Sequence, residues 1–114
     1  MKSAALVLLL SLAPLPLTAQ SQQEMNARAA ADFKKADKEL NAVYAKVMAN
    51  LDDGAKEHLR KSQRAWVAWR DAEAAFRADA EARGGSLWPL IHEGTRSRLT
   101  KERVKGLREL LIEK

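Results

Sequence analysis

The sequence predicts an all-α fold, a small antiparallel bundle of three long helical arms, the third kinked or split near Arg98–Thr100. Three observations carry this. Apolar residues recur at steps of three and four through three stretches and nowhere alternate as a strand would. Two breaker clusters, Asp52-Asp53-Gly54 and Gly84-Gly85-Ser86, divide those stretches where a helix would turn back. The middle stretch places Trp66, Trp69 and Phe76 on one helical face, enough aromatic surface to seed a core.

Residues 1–19 read as an export signal. Lys2 supplies the positive start, Ala4 to Leu12 is apolar except for Ser11, and Pro14 and Pro16 precede a cleavage site at Leu17-Thr18-Ala19. The apolar run is far short of the ~20 residues that cross a bilayer, so no stable membrane anchor is expected once the signal is removed. That leaves residues 20–114 as one domain, periplasmic or secreted. The whole chain carries a formal charge of +5, which becomes +4 without Lys2. The chain has no cysteine. This excludes a disulfide scaffold, a thiolate metal site and a thiol nucleophile, so helix packing must hold the domain together.

The first arm opens on Ser21-Gln22-Gln23-Glu24, which matches a capping box. Met25, Ala29, Phe33, Ala36, Leu40, Val43, Tyr44, Val47 and Leu51 then mark its apolar stripe, with lysines and acids opposite. Asp52 or Asp53 can cap the second arm. Its inward face is expected to hold Leu59, Ser62, Trp66, Trp69, Glu73, Phe76 and Ala80. Gly84 or Gly85 suits the left-handed residue that ends it. Ser86 can cap the third arm, where Pro89 is tolerable in the first turn. In that arm Leu87, Leu90, Ile91, Gly94 and Arg98 share one face, and Thr100, Val104, Leu107 and Leu111 share another, rotated from the first. The rotation is the reason to expect a kink, with Thr100 capping a separate last helix.

Glu73 is the most informative single residue. A carboxylate on an aromatic stripe must be paired or protonated, because burying it alone costs several kcal/mol. Arg98 occupies the corresponding inward position on the third arm, so an interior Glu73–Arg98 pair is expected, helped by Arg70 or Arg77. A structural ion pair is favoured over a catalytic acid, since no second positioned group accompanies it. Trp66 and Trp69 are read as core. Trp88 lies off its helix stripe and is the better candidate for partner contact. His58 and His92 lack a carboxylate at ligand spacing, so both are read as surface residues and neither a metal nor any other cofactor is expected. The basic arm from Arg96 to Arg108 could grip an anionic envelope component, but its interleaved Glu102 also fits a solvated helix face. Nucleic acid is not expected to be a partner of an exported chain. A bundle this small also has apolar surface, such as Trp88 or Ile112, that a second copy could cover.

The order of these features resembles the LprI lysozyme inhibitor family. The matching pieces are Glu24-Met25-Asn26, Ala31 to Asn41 with Val43-Tyr44, and Gln63-Arg64-Ala65-Trp66 with Trp69-Arg70-Asp71-Ala72-Glu73. Gly84-Gly85-Ser86, Arg98-Leu99-Thr100, Glu102-Arg103 and Leu107 follow. On this resemblance Trp66, Trp69, Arg70, Asp71, Glu73, Arg98, Thr100 and Arg103 form the structural motif. It implies a non-enzymatic exported helical domain that inhibits lysozyme by occluding it, with lysozyme or another envelope protein as partner. Family members typically carry cysteines that tie their helices together. Here the matching positions look like Arg28, Ala74 and Thr95. Common lysozymes are basic, so the resemblance points to an acidic patch, Asp52, Asp53 and Glu57, as a docking corner on this basic chain.

Overall fold

The structure, a computed structural model, describes residue 4 and residues 17–112. Helices α1 (Leu17–Ala49), α2 (Asp53–Ala82) and α3 (Trp88–Ile112) make up nearly all of the described chain, and no strand occurs among these residues. The expected export signal lies outside the described residues except where α1 begins.

The three-arm bundle is present, and α3 is its central element, packed along both α1 and α2. Helix α2 runs antiparallel to α3: Asp79 meets Trp88, Asp71 meets Arg96 and Gln63 meets Arg103. Helices α1 and α3 run the same way, with Ala29 and Asp32 beside Leu90 and Gly94, and Glu39 paired with Arg108 further on. The core joins Leu40, Val43 and Val47 of α1 to Val104 and Leu107 of α3, with Tyr44, Leu51, Leu59, Trp66 and Leu111 packed around them.

Both interhelical breaks fall where the sequence places them. Asp52 caps α2, its Oδ1 accepting the Ala55 N–H at 2.8 Å. Gly84 takes a φ of +69°, the left-handed conformation that closes the end of α2. Ser86 does not cap α3. The Trp88 N–H bonds back to the Gly85 carbonyl at 3.3 Å, so a backbone turn carries the chain past Ser86 and the helix opens later, with Pro89 in its first turn.

Three expectations need correction. Helix α1 passes through the Ser21–Glu24 box with both side chains exposed, because no breaker stands between Pro16 and Ser21 to stop another turn forming upstream. Helix α3 is one continuous helix through Arg98–Thr100 and is not split there. Of its two stripes only the second is buried, Thr100, Val104 and Leu107 lying against both α1 and α2, while Leu87, Gly94 and Arg98 of the first are exposed, so no bend is needed to cover it. Thr100 is accordingly interior, fully buried rather than a cap.

The third correction concerns α2, whose buried line is Arg70, Ala74 and Ala78, extended by half-buried Leu59, Gln63, Trp66 and Val67. This face is turned about one residue from the expected stripe. Trp66 stays against the core, but Trp69 is 50% exposed and Phe76 65% exposed. The physical reason lies in size. Ala74 and Ala78 are completely buried, and their short side chains let α3 approach closely, whereas inward-facing rings would hold the helices apart.

Candidate functional site

The buried charge of the bundle is Arg70, with only 4% of its surface exposed. A guanidinium has five N–H donors in a plane, so it can be buried when carboxylates and ring faces surround it. Arg70 Nε donates to Asp71 Oδ1 at 2.9 Å. Its Nη1 donates to Asp37 Oδ1 at 3.2 Å and, more weakly, to Thr100 Oγ1 at 3.4 Å. Its guanidinium carbon lies 5.0 Å from the centroid of the Phe33 ring and 5.3 Å from that of Trp66.

Two more arginines extend this layer. Arg96 lies over the Phe33 ring at 3.7 Å, donates to Asp71 Oδ1 at 3.0 Å and reaches Glu93 at 3.2 Å. Arg103 stands 5.7 Å from the Trp66 centroid and donates to Gln63 Oε1 at 3.0 Å and Ser62 Oγ at 3.3 Å. Cations and rings therefore alternate, Arg96–Phe33–Arg70–Trp66–Arg103, through the junction of all three helices. Each cation–ring contact contributes about 0.5–2 kcal/mol, more where water is excluded.

Asp71 is the shared acceptor of this ladder. Burial by itself would raise its carboxyl, but hydrogen bonds and charge from Arg70 and Arg96 outweigh that and hold it below the ordinary aspartate range. Burial pulls Arg103 down from its usual value, although a guanidinium keeps its proton at any physiological pH. Cations fixed in this way, with an ionised acid between them, staple helices together. They do not pass protons.

The expected Glu73–Arg98 pair does not form. Glu73 accepts from Arg77 Nε at 3.0 Å at the edge of α2, and Arg98 is exposed, donating to Glu102 at 3.1 Å. Turning α2 by about one residue moves Glu73 off the interior and brings Arg70 in. Of the sequence-level motif, Trp66, Arg70, Asp71, Thr100 and Arg103 come together, while Trp69, Glu73 and Arg98 lie outside the ladder. Three of its members lay outside that motif: Phe33, Asp37 and Arg96. Asp37 carried a readable signal, since it stands four residues after Phe33 and three before Leu40, on the inward stripe of α1.

The residues expected to touch a partner fall at the two ends of α2. Asp52, Asp53 and Glu57 are exposed at its start, Asp52 as the cap and Glu57 beside Arg60. Trp88 packs beside its far end, about 40 Å away along the helix axis. There the indole Nε1 donates to Asp79 Oδ1 at 2.7 Å, and the ring stacks on His92 at 4.7 Å between centroids. His92 is thereby half-buried rather than a surface residue, whereas His58 is exposed. Within the basic arm, Arg96, Arg98 and Arg108 are held by Asp71, Glu102 and Glu39, and Arg103 lies on Trp66. Lys101 and Lys105 have no ion-pair partner among the described residues. No helix among these residues is long and apolar enough to cross a membrane. They also hold no cluster of three or more side chains suited to a metal.

The sequence pattern of the family described as lysozyme inhibitor LprI matches residues 16–107, the length over which the three helices and the ladder are built. The chain belongs to the LprI family. An uncharacterized protein of Rhizobium meliloti (strain 1021) is 40% identical, the match covering 82% of this chain and 76% of the relative. No solved structure matches. For this LprI-family chain, membership brings a role like that of a lysozyme inhibitor, in a family of inhibitors rather than enzymes, with lysozyme as the partner class and an extracellular or periplasmic setting as the typical one.

Proposed function

We propose that this protein is exported through cleavage after Ala19 and inhibits lysozyme without catalysis, by docking on the enzyme and covering its cleft. The observation that carries the reading is the family match over residues 16–107. The ladder supports it physically. A binder held rigid by interior contacts loses little conformational freedom on docking, so more of its contact energy is available as affinity. The acidic corner of Asp52, Asp53 and Glu57 is the surface suited to a basic enzyme. Trp88, at the other end of α2, is the second candidate contact. The alternative, a basic arm holding an anionic envelope component, must draw mainly on Lys101 and Lys105, because the four arginines already have partners within the bundle.

A clearing assay tests this: lysozyme acts on cell-wall suspensions with and without the purified protein in molar excess. Slowed clearing is expected. Unchanged clearing at about tenfold excess, at both low and physiological salt, would remove the inhibitor reading. Asp53→Lys combined with Glu57→Lys, which keeps the Asp52 cap in place, should weaken inhibition while leaving the helical signal intact.

A further inference from the structure

The turn of α2 that buries Arg70 leaves an apolar seam on the opposite side of the helix. Ala65, Trp69, Ala72, Phe76 and Ala80 are all exposed and follow one another at steps of three and four, the spacing of a helix-pairing seam. Trp69 and Phe76 are among the largest exposed apolar side chains of the described chain. Among the described residues no other helix covers this side.

We infer that this seam is a self-association surface, occupied by the α2 helix of a second copy running antiparallel about a two-fold axis near Ala72. The order of sizes supports that occupant. Small, large, small, large, small reads the same in both directions, so an antiparallel copy sets Trp69 of each chain beside Ala72 and Phe76 of the other. A parallel copy would stack Trp69 on Trp69 and Glu73 on Glu73. The flank agrees. Glu73 and Arg77 form a mixed pair on one edge of the seam, 3.0 Å apart, and a two-fold brings two such pairs together as a neutral quartet. Area sets the strength. From Ala65 to Ala80 the seam is about 22 Å long. Covering it on both copies removes on the order of 1,000 Å², at the lower edge of what a specific interface needs. A reversible, concentration-dependent dimer follows, not an obligate one.

Sedimentation of the purified protein from low to high micromolar concentration tests the inference. The apparent mass should climb towards twice the monomer value. Trp69→Glu and, separately, Phe76→Ser should keep it at the monomer value with circular dichroism unchanged, since neither ring is in the core. The chain has no cysteine, which makes an introduced one a clean probe. Ala72→Cys should oxidise readily to a linked dimer, and Ala45→Cys on the exposed side of α1 should not. Monomeric mass throughout overturns the proposal, as does a dimer indifferent to Trp69→Glu. A monomer whose lysozyme inhibition is lost on Trp69→Glu would also overturn it, assigning the seam to the enzyme instead. Failure of the clearing assay alone leaves the mass measurement unaffected.

Discussion

At the scale of single residues, the decisive choice is which charge goes inside. Glu73 finds its counter-ion in Arg77, one turn along the same helix, and needs no partner from the interior. Arg70 brings its own acceptor next to it in sequence, Asp71, and its flat cation also gains from the faces of Phe33 and Trp66. Removing it deprives Asp37 of its cation, leaves Asp71 to Arg96 alone and uncovers two ring faces. Arg70→Ala is expected to cost about 1–3 kcal/mol in chemical denaturation, from its lost hydrogen bonds and packing, since the carboxylates it leaves behind reach solvent. Arg70→Lys should recover only part of this, because one ammonium cannot serve Asp37, Asp71, Thr100 and two rings together. Glu73→Gln, at the half-buried edge of α2 with its partner Arg77 exposed, is expected to cost about 1 kcal/mol or less. Equal losses for Arg70→Ala and Glu73→Gln would contradict the assignment.

Asp71 adds a pH dependence whose sign is fixed. Its carboxyl is more acidic folded than unfolded, so it stabilises the fold above the ordinary aspartate range and loses that contribution as pH falls through the lowered folded value. Its side chain is 45% exposed, so solvent screens the effect and keeps it small. The melting-temperature difference between the protein and Asp71→Asn should therefore be present at neutral pH and shrink towards pH 3. A difference that grew in acid would reverse the reading.

At the scale of elements, α2 carries two apolar faces of opposite design. One is lined by Ala74 and Ala78 and admits α3. The other presents Trp69 and Phe76 to solvent. The sequence-level stripe followed the rings, since aromatic residues are usually the buried ones. What it could not weigh was close approach, which rewards the smallest side chain at a helix crossing. Overpacking reads this directly. Ala78→Leu, on the closed face, should cost about 1–3 kcal/mol or more. Phe76→Ala, on the open face, should change monomer stability by no more than about 0.5 kcal/mol. The same limitation explains α3. A rotation between two apolar stripes can mean a bend, or one continuous helix that buries the second stripe and leaves much of the first exposed. Only the arrangement of α1 and α2 decides between them.

At the scale of the whole molecule, a few arginines work between the helices while the rest of the positive charge stays at the surface. Arg70, Arg96 and Arg103 staple helices, and Arg108 is tied to Glu39. The net positive charge still governs approach out to about a Debye length, about 8 Å at physiological salt and about 30 Å at 0.01 M. Two basic proteins repel across that range. Lysozyme inhibition by this protein is accordingly expected to strengthen as salt rises from about 0.01 M to about 0.15 M, measured as the protein concentration that halves the clearing rate. Inhibition that collapsed over that range would place the docking energy in exposed ion pairs.

The sequence by itself determined the three arms, both breaks between them, the pairs Asp52/Asp53 and Gly84/Gly85 that supply the cap and the left-handed residue, and the core stripes of α1 and the second half of α3. Each of these rests on local rules, either residues three and four apart or backbone preferences at a turn. The tertiary structure alone decided that α3 lies between its neighbours unbroken, that α2 is turned by about one residue, and that a guanidinium rather than a carboxylate fills the junction. Those outcomes depend on how near two helices can come and on which partners, such as Asp37 and Phe33, arrive from more than thirty positions away in the chain. No short-range pattern holds that information.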